Sequence, residues 1–122
     1  MEKFTKEDLG DALEAVASMI RRTENVRAKF KEGTPQHSLQ RNRLAALNTA
    51  LQLISHELSG NHGEMPTTAE LEQARAPIAS LISKSEKAKQ KVAPSTWQHN
   101  MLEANLKGLY IASQLLDAYT IS

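Results

Sequence analysis

One short motif occurs twice in the chain, as Thr34-Pro35-Gln36-His37 and as Thr96-Trp97-Gln98-His99. Its residue types can do chemistry. A threonine hydroxyl caps a helix, a glutamine amide both donates and accepts, and a neutral imidazole ligates metals or hydrogen-bonds polar ligands. Leu44 and Leu51 follow His37 at seven-residue steps, which puts the imidazole on the core-facing register of a helix near its start. His99 takes the equivalent place through Leu106. If both motifs reach one opening, Thr34, Gln36, His37, Thr96, Gln98 and His99 frame a ligand end. There His37 and His99 would share a metal, an anion or a polar molecule. The plainer alternative is structural: each motif satisfies backbone groups at a helix start and plugs the end of a core. A metal centre needs further ligands, and the chain has no Glu-x-x-His pair of the di-iron bundle kind. No cofactor is implied.

A second set is cationic. Arg21, Arg22, Arg27, Lys29 and Lys31 crowd one segment, and Lys84, Lys87, Lys89 and Lys91 crowd another. Arg41 and Arg43 add to the first. Such a rim suits a phosphate, an acidic peptide or RNA. It also suits the C-terminal ends of two helices, whose macrodipoles favour cations, and Glu7, Asp8, Asp11, Glu70 and Glu72 sit at the matching starts. Stacking aromatics are scarce, which argues against nucleic acid. A third set is apolar: Tyr110 and Ile111 fall off the core stripe, side by side, as a contact patch for a partner or a second copy.

The elements that position these residues follow from an internal repeat. Sliding the chain by 62 residues lays 5–55 over 67–117 without a gap, and 16 of those 51 positions are identical. Composition alone would give about four, and a fold-scale repeat is the usual cause of such an excess. Each copy reads as two helices. Leu9, Ala12, Val16, Met19, Thr23, Val26 and Phe30 recur at three- and four-residue steps, an apolar stripe. Gly33-Thr34-Pro35 then signals a left-handed stop, a cap and a first helical position. Leu44, Leu47, Leu51, Ile54 and Leu58 form the next stripe. The second copy repeats this with Leu71, Ala74, Ile78, Leu81, Ser85, Ala88 and Val92, then Leu106, Leu109, Leu115 and Leu116. Thr5-x-x-Asp8 and Thr67-x-x-Glu70 read as capping boxes. The hydroxyls of Thr23 and Ser85 are expected to bond back to their own helices. Trp97 is expected to cover the core end. Pro77 should kink the third helix or break it near Ala76.

Short joints make neighbouring helices antiparallel. The expected fold is all-α: an up-down-up-down four-helix bundle of two tandem helical hairpins related by a pseudo-twofold axis. It would form a single helical domain over 1–122, with repeats at 5–58 and 67–120 and a linker at 59–66. In such a bundle the two joints, both histidines and both basic segments share one end.

Composition narrows the function. Lys plus Arg number 15 against 14 Asp plus Glu, and there is no cysteine. Thiol chemistry, disulfides and thiolate metal sites are therefore excluded. The start shows no secretory signal and no apolar stretch is long enough to span a bilayer, so a cytoplasmic protein is expected. No Gly-rich phosphate loop, His-Glu-x-x-His or nucleophile elbow is present. His56 and His62 have no counterpart in the repeat and are expected to be exposed. The leading reading is a small non-enzymatic bundle that binds another protein or itself, including as a homodimer. One alternative is ligand or metal binding through His37 and His99. The other is weak nucleic-acid or anion binding at the basic end.

Overall fold

Four threonines start four helices. In the computed structural model, which describes residues 4–60 and 64–121, these are α1 (Lys6–Arg27), α2 (Pro35–Leu58), α3 (Thr68–Gln90) and α4 (Trp97–Ile121). Thr5 Oγ1 accepts the Asp8 amide at 3.0 Å, and Thr34 and Thr96 accept those of His37 and His99 at 3.2 Å. At α3 the capping box closes both ways: Thr67 Oγ1 accepts from the Glu70 amide at 3.1 Å, and Glu70 Oε1 accepts from the Thr67 amide at 2.9 Å. These bonds satisfy donors that the first helical turn leaves unpaired. Among the described residues, the structure contains no strand and no helix long and apolar enough to cross a membrane.

The helices close as the repeat requires. α1 packs on α2 and α3 on α4, and α1–α4 and α2–α3 complete a square. α2 also meets α4 across the diagonal, whereas no Cα of α1 comes within 8 Å of one in α3. A twofold exchange of the hairpins maps this arrangement onto itself. Buried positions obey the same exchange: Leu9 with Leu71, Ala12 with Ala74, Val16 with Ile78, Leu47 with Leu109, Ala50 with Ala112, and Leu53 with Leu115. Apolar burial of this kind drives a bundle together at roughly 25 cal/mol per Å². The α1–α4 contact is closer than a Cβ at Gly108 would comfortably allow, since that atom would lie 3.2 Å from Ala15 Cβ. Lys107 ties the same two helices from outside, 3.1 Å from Asp8 and 3.7 Å from Asp11. Its hydrogen bond holds the Asp8 carboxyl below the usual range, and Asp8 in turn raises the Lys107 ammonium.

One local expectation narrows, because Pro77 does not break its helix. α3 runs unbroken through Pro77. The proline removes the hydrogen bond that the Gln73 carbonyl would have received. Leu71 and Ala74 before it and Ile78 after it are all buried, so packing holds both halves of α3 in one register. In the second joint Ser95 stands where the first has Gly33, and both are left-handed, at φ 70° and 87°. A side chain in that region costs about 1–2 kcal/mol, while glycine loses about 0.5–1 kcal/mol through its freer unfolded chain. Ser95→Gly is therefore expected to stabilise the fold by up to about 1 kcal/mol, read as a higher denaturation midpoint with an unchanged m-value.

Candidate functional site

Arg22 Nη1 lies 3.8 Å from Met101 Sδ, which sets the end of α1 beside the start of α4. Both joints, 28–34 and 91–96, therefore share one end of the bundle, with His37, His99 and the basic segments. The histidines do not meet there through a common partner. His99 lines an open groove of about 1110 Å³ between α3 and α4, over Val92, Pro94 and Leu106. Its Nδ1 is 3.4 Å from Glu103 Oε1, one turn along the same helix, and Lys89 Nζ is 3.9 Å from that oxygen. His37 is half-buried on α2, and the residue matching Glu103 in its repeat is Arg41. The carboxylate beside His99 therefore has no counterpart in the first repeat. Gln36 and Gln98 are exposed. Among the described residues no three His, Asp or Glu side chains gather as a metal-binding group. Thr34 and Thr96 serve as caps, and each hydroxyl also donates back into its joint, to Lys31 O at 2.7 Å and Ala93 O at 2.8 Å.

Charge and apolar surface concentrate at this same end. Segments 17–46 and 80–109, the helix halves that meet the joints, carry 12 cationic and 4 anionic side chains. The remaining segments carry 3 cationic and 10 anionic ones. Among the described residues, Arg21, Arg22, Arg27, Lys29, Lys31, Lys84, Lys87 and Lys91 form no ion pair. Four large apolar side chains are exposed among them: Trp97 (69%), Leu39 (46%), Phe30 (38%) and Val26 (37%).

Trp97 does not cover the core. The first buried leucine of α4 is Leu106, nine residues on, or about 13 Å along a helix. Trp97 is the first residue of α4 and lies exposed at that helix end, although His99, two residues on, keeps only 15% of its side chain exposed. Phe30 leaves its stripe at another helix end. α1 ends at Arg27, so the helical register that would have pointed Phe30 inward is lost.

No protein family, curated protein or solved structure matches the chain.

The Tyr110–Ile111 patch is not an outer surface. Ile111 is buried at 4% exposure, and so is its repeat counterpart Thr49, whose hydroxyl donates to Ala45 O at 3.1 Å. The cause is the diagonal contact: α2 and α4 each have three helical neighbours and bury a wider arc than one stripe supplies. Tyr110 stays exposed, but its hydroxyl donates to Glu86 across the α3–α4 groove, and that bond raises its pKa. Thr23 behaves as expected, donating to Met19 O at 2.7 Å.

At the opposite end His56 is half-buried rather than exposed. Its ring meets Tyr119 edge-on, 6.3 Å between centroids, and its Nδ1 is buried with no hydrogen-bond partner among the described residues. His62 lies outside the described residues. The Tyr119 hydroxyl donates to Glu57, and burial, with Glu57 adding to it, pushes its pKa up to about 12. An unfolded tyrosine titrates near 10. The proton is therefore held more tightly in the folded chain. The stabilisation is present in full below pH 10 and is lost as pH rises towards 12. Between those values Tyr119→Phe is expected to lose less stability than the wild type, measured by urea denaturation at fixed pH.

Proposed function

We propose that the bundle is a non-enzymatic interaction module that docks another protein on its joint end, with Trp97 as the anchor. The observation that carries this reading is the exposure of Trp97 at the start of α4, at the same end as Leu39, Phe30 and Val26. Large aromatic side chains that protrude from a fold dominate binding energy when a partner covers them. Their exposure serves no purpose in the bundle itself, whose core closes at Leu106 and Leu44 without them. The repeated hairpin supplies the rigid frame, and the joints supply the surface.

The test is comparative. Wild type and Trp97→Ala are each immobilised, and retained proteins are identified, purified and rebound. Light scattering across a concentration series covers the case in which the partner is a second copy. The reading expects a purified partner, or a concentration-dependent dimer, that the wild type holds and the variant does not. A chain that stays monomeric and holds nothing contradicts it, as does equal retention by the variant.

A further inference from the structure

The geometry points to an acidic, amphipathic protein segment as the partner of the joint end, an inference that rests on the docking role proposed above. Three observations converge on it. First, the charge excess there, 12 cationic against 4 anionic side chains, is larger than the helices themselves call for. Two helix C-termini and two N-termini meet at this end, so their macrodipoles oppose one another. Cations complement a C-terminus only within its last turn. Arg21, Arg22 and Lys84 lie further back along α1 and α3, and Arg41 and Arg43 lie in the second and third turns of α2, so no C-terminal dipole calls for them.

Second, apart from Lys107, which pairs with Asp8 and Asp11, few of these cations are spent on carboxylates inside the protein. Lys89 alone of the nine in the two clusters reaches a carboxylate among the described residues. Unpaired cations around a docking surface steer and select a partner of opposite charge. Third, the exposed side chains between them include the aliphatic Leu39 and Val26 as well as Trp97 and Phe30. Nucleic-acid bases gain from stacking on rings, and aliphatic side chains offer them none. A protein segment with apolar residues on one face and carboxylates on the other matches both components. A helix in which these alternate at three- and four-residue steps is the simplest form.

Trp97 is the only tryptophan in the chain, so its emission reports on this end alone. The probe is a helical peptide with leucine along one face and glutamate along the other. Controls are the same peptide with glutamine for glutamate, and oligouridylate. The acidic peptide is expected to shift Trp97 emission to shorter wavelength and to bind at least about tenfold tighter than its glutamine form at low salt, an advantage that added salt erodes. Lys84→Glu, Lys87→Glu and Lys91→Glu together, all at exposed positions, should weaken the acidic peptide by about tenfold or more with the thermal melt unchanged. Equal binding of the two peptides, with the emission shift, overturns the acidic partner and leaves docking at Trp97 intact. Absence of a shift with either peptide overturns both readings. A shift produced by oligouridylate at lower concentration than by the acidic peptide overturns this one in favour of nucleic acid.

Discussion

Leu109→Ala is expected to destabilise the bundle by about 2–5 kcal/mol. Leu109 is fully buried on α4, one of the two helices that touch all three others. Removing its terminal isopropyl group forfeits the transfer free energy of three carbons. It also leaves a cavity that α1, α2 and α3 cannot all collapse into at once, because each is fixed by its own neighbours. A bundle of 122 residues has an unfolding entropy of roughly 0.26 kcal/mol/K, so a loss near 3 kcal/mol should lower Tm by about 12 °C. Leu47→Ala, at the matching position on α2, should cost a similar amount if the twofold relation governs the core. A shallower helix such as α1 offers a control. Leu13 there is only half-buried, and its truncation should cost clearly less. Circular dichroism melts and urea midpoints of the three variants measure the difference.

Trp97→Ala is expected to do the reverse: little to stability and much to binding. At 69% exposure the indole contacts too little of the fold for its loss to move Tm by more than a degree or two. In a complex it would be covered, and truncating a buried aromatic anchor costs about 2 kcal/mol or more, roughly thirtyfold in Kd. Leu39→Ala and Phe30→Ala should weaken the same complex by smaller factors, since contacts around an anchor chiefly exclude water from it. Titration calorimetry on the purified partner, alongside a thermal melt of each variant, separates the two effects. Equal losses in Tm and in affinity would make Trp97 a structural residue.

Much of the fold was legible because it depends on local rules. The stripe through Leu9, Ala12, Val16 and Met19 is buried, and each threonine read as a cap accepts a backbone amide. What escaped depends on neighbours. Thr49 and Ile111 are buried because α2 meets α4 across the diagonal, which no periodicity within one helix announces. Phe30 keeps the step of its stripe but lies beyond the end of α1, where the step has no meaning. Trp97 has the composition of a core residue. It stands exposed at the first position of α4, and periodicity does not say which way a residue at a helix end points. For the candidate site, the basic end was readable from charge spacing and antiparallel topology alone. The direction of His99 was not, since it turns on the groove between α3 and α4 and on Glu103 one turn away.

Collisional quenching of Trp97 tests most directly whether the joint end presents an exposed anchor in a cationic field. Iodide and caesium reach an exposed indole with opposite charge. The emission should peak near that of free indole in water. Iodide should quench it strongly and caesium weakly at low ionic strength, with the two converging as salt screens the rim. A blue-shifted emission that neither ion quenches, or caesium quenching as strong as iodide at low salt, would contradict a docking surface built from Trp97 and the lysines and arginines of the same end.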